Sequence, residues 1–127
     1  RNAEPPMVVE VLSSDITVIN KTNTTDGPVD GRGAVLGGAK FIGSGGKATL
    51  ISELDVLKDF HNEISGFNDL TLTSNTRNAI YFGGGGSAAK LSAKHITLNG
   101  KVNAIYIDQA AADTSANNVT IDGFDSS

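Results

Sequence analysis

The chain contains no cysteine and no tryptophan. Without cysteine there is neither a disulfide framework nor a thiolate metal site. Folding must therefore rest on an apolar core, which 127 residues are enough to build. Aromatic residues make up only 6% of the chain. No apolar run approaches the roughly 20 residues of a membrane-spanning helix. Basic residues are also few: 10 Lys and Arg stand against 14 Asp and Glu, a net charge of −4. With no basic patch, nucleic acid and anionic membrane surfaces are poor partners. The first residue is Arg1 rather than methionine, as expected of a chain that has lost a signal peptide or been cut from a longer one.

What is abundant is turn chemistry. Fifteen glycines accompany many Ser, Thr, Asn and Asp, the make-up of a single all-β domain dense in turns. Within it an aliphatic-Thr-aliphatic triplet recurs: Leu70-Thr71-Leu72, Ile96-Thr97-Leu98 and Val119-Thr120-Ile121. The threonines are 26 and then 23 positions apart. Each triplet leads into a turn signal, Ser74-Asn75, Asn99-Gly100 or Asp122-Gly123. A second pattern shares the period, with Asn78-Ala79-Ile80-Tyr81-Phe82 returning 25 positions later as Asn103-Ala104-Ile105-Tyr106-Ile107. Two segments with one period make an internal repeat.

Side chains alternate across a strand, so the aliphatics of each triplet share one face and the threonine takes the other. Such a short unit cannot bury its apolar face alone; the next copy, stacked about 4.8 Å away, buries it. This predicts a stack with aliphatics inside, Ile105 among them, and a row of threonines outside. Thr71, Thr97 and Thr120 anchor that row, and Thr17 and Thr49 extend it through similar triplets at Ile16-Thr17-Val18 and Ala48-Thr49-Leu50. The row serves either to solvate an outer face or to present a regular surface to a glycan, ice or a protein.

Ahead of the repeat, residues 1–6 read as an extended arm and 7–28 as N-terminal strands or a cap, with the repeat proper in 29–127. Short strands are expected at 7–12, 16–19, 35–36, 40–42 and 48–51, and loops at 22–33, 83–86 and 110–117. Residues 53–64 are predicted to hold a short helix. Ser52 and Asp55 resemble a capping box, Leu54, Leu57, Phe60 and Ile64 recur at near-helical spacing, and Gly66 suits a helix end. The alternative there is a strand at 54–57, a turn, and a second strand at 63–65.

Val29-Asp30-Gly31-Arg32-Gly33-Ala34, Ile64-Ser65-Gly66-Phe67, the Asn103–Ile107 pattern and Asn117-Asn118-Val119-Thr120-Ile121-Asp122-Gly123-Phe124 together resemble right-handed parallel β-helix proteins of the pectin-lyase-like class. The resemblance covers roughly residues 29–125. It implies an all-β right-handed parallel β-helix, a β-solenoid of about five coils. Polygalacturonase-type members carry Asn-Thr-Asp, paired Asp, Gly-His-Gly and Arg-Ile-Lys motifs, none of which occurs here. The fold is therefore implied without that activity. The competing architecture is an antiparallel β-sandwich or jelly roll, because Asn99-Gly100 between strands is also a hairpin signal.

No catalytic constellation is complete. His61 and His95 lie in unrelated contexts, and Gly-x-Ser-x-Gly is absent. The carboxylate pairs Asp55/Asp59, Asp108/Asp113 and Asp122/Asp125 suit glycoside chemistry only at the right separation, and each is also an ordinary turn or surface acid. Gly83–Gly86 lacks the lysine of a phosphate loop. Asp26 and Asp30, each followed by glycine, are fragments of a calcium loop without its full ligand set. Asn20, Asn23 and Asn118 head Asn-x-Thr glycosylation sequons.

The composition resembles that of passenger regions of bacterial surface adhesins. The expectation is a non-enzymatic structural or adhesive solenoid, secreted or on a cell surface, with no cofactor. Its partners would be a surface glycan, a host protein or itself. Self-association is expected head to tail, into an oligomer or filament, through a last coil carrying Val119, Ile121 and Phe124. The rival readings are a carbohydrate-active β-helix enzyme and a small carbohydrate-binding module.

Overall fold

A computed structural model describes residues 8–10, 15–20, 40–83, 88–108 and 118–123. They form ten strands and, among them, no helix: β1 (Val8–Glu10), β2 (Asp15–Asn20), β3 (Lys40–Ile42), β4 (Lys47–Ser52), β5 (Leu57–Lys58), β6 (Glu63–Ser74), β7 (Ile80–Phe82), β8 (Ala88–Asn99), β9 (Ile105–Ile107) and β10 (Asn118–Gly123). Every pairing is parallel. β6 and β8, twelve residues each, run through both wings of a seven-stranded sheet. The first wing joins β1, β3, the start of β6, the start of β8 and β10. The second joins β2, β4 and the later halves of β6 and β8. A separate sheet holds β5, β7 and β9. The three middle repeats each lay one stretch of strand in the first wing, one in the second and one in the small sheet, as β3, β4 and β5, then β6 and β7, then β8 and β9.

The bend between the wings is written in glycine. Gly66 has φ +86°, and a Cβ there would lie 2.3 Å from the carbonyl oxygen of Gly43. A Cβ on Gly43 would in turn meet the ring of Phe67 at 2.5 Å. Backbone bonds from Gly43 N to Ser65 O (2.8 Å) and from Gly45 N to Gly66 O (2.7 Å) carry the pairing around the corner. The register of β6 against β8 shifts there, between Ile64 and Phe67.

Inside the bend lies the core. On β4 and β6 the alternate residues Ala48, Leu50 and Ser52 sit opposite Leu70, Leu72 and Ser74, and all six are buried. Leu57, Phe60, Ile64, Ile80 and Leu91 are fully buried with them, each large aliphatic contributing about 1.5–3 kcal/mol. The rings of Phe60 and Phe82 meet at 5.9 Å.

The structure overturns the helix expected over 53–64. Leu54, Val56, Leu57, Phe60 and Ile64 do face the core, but the backbone amides bond outward to the next repeat. Val56 N donates to Asn78 O, Leu57 N to Ala79 O and Asp59 N to Tyr81 O. Amides committed to a neighbouring strand are lost to an i→i−4 ladder, and Asp59 at φ 45° leaves the helical region altogether. Asp55 caps nothing: it is buried and bonds across the repeat to Asn78. The strand alternative is the nearer one, with β5 at 57–58 and β6 beginning at Glu63.

The antiparallel alternative also falls. Asn99-Gly100 closes no hairpin; it turns the chain from β8 toward β9, in the other sheet. The turn is so tight that a Cβ on Gly100 would lie 1.7 Å from Asn103 O.

Candidate surface and end-of-stack site

The second wing aligns four of the five predicted threonines. Thr17 is opposite Thr49, Thr49 opposite Thr71 and Thr71 opposite Thr97. Thr17 and Thr97 are exposed, and Thr49 and Thr71 are half-buried. Thr120 does not join them. β10 lies on the first wing, where Thr120 is opposite Lys90. The reason is that an apolar-polar-apolar triplet suits either wing, and β10, which carries Thr120, lies on the first.

Beside the threonines runs a ladder of alternating acidic and basic residues: Asp15, Lys47, Asp69 and His95 occupy successive opposite positions. His95 Nδ1 lies 3.4 Å from Asp69 Oδ1, and Asp15 Oδ1 accepts a bond from Lys47 N at 3.0 Å. The first wing repeats the alternation with Lys40, Glu63 and Lys90, and Lys40 Nζ is 3.8 Å from Glu63. At such exposure each ion pair contributes at most about 1 kcal/mol. Their larger effect is on pairing, because like charges in these positions would repel.

Polar ladders also fix the turns. Asp55 Oδ1 accepts from both Asn78 N and Asn78 Nδ2 at 3.1 Å, and Asn78 Oδ1 accepts from Asn103 Nδ2 at 3.2 Å. Ser74 Oγ donates to Leu54 O at 2.7 Å and accepts from Arg77 N at 2.8 Å. The outer face of the small sheet stacks Lys58, Tyr81 and Tyr106. The tyrosine rings are 5.4 Å apart, and Lys58 Nζ is 5.5 Å from the Tyr81 centroid. Tyr81 OH donates to Asp108 Oδ2 at 3.3 Å. Burial, reinforced by the Asp108 carboxylate, holds the Tyr81 phenol above its ordinary range.

Three of the six acids considered for catalysis hold hydrogen bonds of the scaffold. Asp55 holds Asn78, Asp59 Oδ1 accepts from Gly83 N at 2.6 Å, and Asp108 accepts from Tyr81. Asp122 is exposed on β10, while Asp113 and Asp125 lie outside the described residues. So do the calcium candidates Asp26 and Asp30, the sequon at Asn23, and Phe124. Among the described residues no group of three or more His, Asp or Glu is placed to hold a metal. Asn20 ends β2, opposite the buried Ser52, and Asn118 opens β10.

Of the predicted self-association residues, Val119 packs partly buried against the core and Ile121 is 38% exposed. The sequence reading missed their larger companions. Ile105, expected inside, is 41% exposed, with Ile107 at 57% and Val102 at 65%. The pattern gave the inward direction of Ile105, but only the position of β9 at the sheet edge shows that nothing described stacks upon it. One end of the stack therefore presents aliphatic side chains beside strands β9 and β10, each of which pairs with a single strand among the described residues. The chain matches no protein-family model, no curated protein and no solved structure.

Proposed function

We propose that this chain is a structural or adhesive module of a cell surface or extracellular assembly, without catalysis, built as a right-handed parallel β-helix of the pectin-lyase-like kind. Successive coils are the repeats whose strands stand opposite one another in all three positions. The module joins to others of its kind through the end where β9 and β10 lie. The observation that carries this reading is the end of the stack itself: Ile105, Ile107, Val102 and Ile121 are exposed, and β9 and β10 each pair on one edge only among the described residues. Unpaired edges flanked by apolar side chains are templates for another chain. The outward threonines Thr17, Thr49, Thr71 and Thr97 give the module a regular side face for a surface glycan or host protein.

Light scattering and negative-stain microscopy across a concentration series test the reading. Association that rises with concentration is expected. A species that stays strictly monomeric at high concentration overturns it.

A further inference from the structure

Asn99 is the last residue of β8, and it is exposed. It shares the outer face with Thr97, two positions earlier. Asn99 Nδ2 donates to Thr73 Oγ1 at 3.3 Å, a long bond on an exposed face. The next residue is Gly100, whereas every other asparagine in the chain is followed by a residue that carries a Cβ. The fold itself demands this glycine, because a Cβ there would lie 1.7 Å from Asn103 O. The asparagines stacked in the neighbouring turns are held more firmly. Asn78 Nδ2 donates to Asp55, Asn78 Oδ1 accepts from Asn103 Nδ2, and alanine follows both.

We infer that Asn99-Gly100 is a site of spontaneous covalent modification, where asparagine converts to isoaspartate in the folded chain and loosens the turn into β9. Asparagine is among the heat-labile residues, and glycine at the next position lets the backbone approach closely. The Gly100 nitrogen, having given its proton to base, attacks Asn99 Cγ. A bond forms between Gly100 N and Asn99 Cγ, and the Cγ–Nδ2 bond breaks. The proton taken from Gly100 returns through solvent to Nδ2, which leaves as ammonia. Water then opens the cyclic imide. Opening at Cγ gives aspartate, and opening at the main-chain carbonyl of residue 99 gives isoaspartate, whose main chain runs through Cβ. One water is consumed and one ammonia released, with no oxidant or reductant. Isoaspartate lengthens the main chain by one carbon, about 1.5 Å. The turn has little room to absorb it. Asn99 stands opposite Thr73, Val102 N donates to Arg77 O at 3.0 Å, and Asn103 O accepts from Ala79 N at 3.2 Å. Only Gly100 and Lys101 separate Asn99 from Val102. Either product also replaces the Nδ2 donor with a carboxylate oxygen, so Thr73 must donate where it now accepts.

Incubating the whole folded chain in mildly alkaline buffer at physiological temperature tests the site. Peptide mapping by mass spectrometry is expected to find NH2 exchanged for OH at Asn99 before any other asparagine, with isoaspartate the major product. The reaction should quicken as pH rises, because it starts from a deprotonated amide. Asn99→Gln should abolish the change on the same timescale. Freshly purified Asn99→Asp carries the new charge without the added carbon. The isoaspartate fraction, isolated by chromatography, should therefore melt at a lower temperature than Asn99→Asp by circular dichroism. Conversion only in the urea-unfolded chain, or at another asparagine first, would overturn the site. Equal melting of the isoaspartate fraction and Asn99→Asp would overturn the loosening of the turn.

Discussion

Ile105 stands directly opposite Ile80 in the small sheet, yet Ile80 is fully buried and Ile105 is 41% exposed. The same residue type in the same strand position differs in that β9 follows β7, whereas no strand follows β9 among the described residues. Substitution should separate the two. Ile80→Asp places an unpaired charge in the core, costs on the order of 4 kcal/mol or more, and should unfold the domain. Ile105→Asp should cost about 1 kcal/mol, the value of a half-buried aliphatic, and leave the fold intact while weakening association. Thermal melts by circular dichroism compare them. Equal losses would mean that Ile105 is covered in solution by something other than a second copy.

Asp55 accepts two bonds from Asn78 inside the turn. Asp55→Ala should cost about 1–3 kcal/mol, since it leaves two partly buried Asn78 donors without their acceptor. Asp55→Asn keeps an acceptor oxygen and should cost clearly less. Urea denaturation of both variants gives the order, and a reversed order would show that the charge matters more than the hydrogen bonds.

At the bend, Gly66→Ala adds a methyl group against the Gly43 carbonyl in a left-handed backbone. The expected loss is on the order of 1–3 kcal/mol. Gly45 also has positive φ, but its Cβ position is open except for Asn68 Nδ2 at 3.7 Å, so Gly45→Ala should cost less. Chemical denaturation that ranks Gly45→Ala as the worse variant would refute the close approach at Gly66.

The threonine row, the two stacked Asn-Ala-Ile-Tyr segments and the strand boundaries at Ser74 and Asn99 were all legible, because a repeated period forces like positions together. Three features were not. The capping-box look of Ser52 and Asp55 is a local signal, whereas the partner of Asp55 lies in the next repeat. The wing on which Thr120 sits depends on where the chain bends, and alternation alone is the same on both wings. The exposure of Ile105 reflects its place in the stack, while a pattern reports only which way a residue points.

Tyr81 supplies a test in alkali. Its phenol is raised in the folded state, by burial first and then by Asp108, so the folded chain holds that proton more tightly than the unfolded chain. Its contribution is fully present below pH 10, the ordinary phenol value, and is lost as pH rises from there through the folded value. Melting temperatures should therefore fall above pH 10, and Tyr81→Phe should make that fall shallower. Tyr106→Phe, which keeps the bond to Asp108 and removes only a lesser contribution to the rise, should shallow the fall less. An identical alkaline slope in Tyr81→Phe and the unmodified chain would remove Tyr81 as the cause.

The alternating charge ladders give the stack a parity. Loss of the single layer that carries Lys47 would set Asp15 against Asp69, and loss of the layer with Glu63 and Asp69 would set Lys40 against Lys90. Duplicating one layer creates the same like-sign contacts. Removing or inserting two layers together preserves the alternation. A change of layer number by two therefore keeps opposite signs facing each other, at a stake of about 1 kcal/mol or less for each exposed pair.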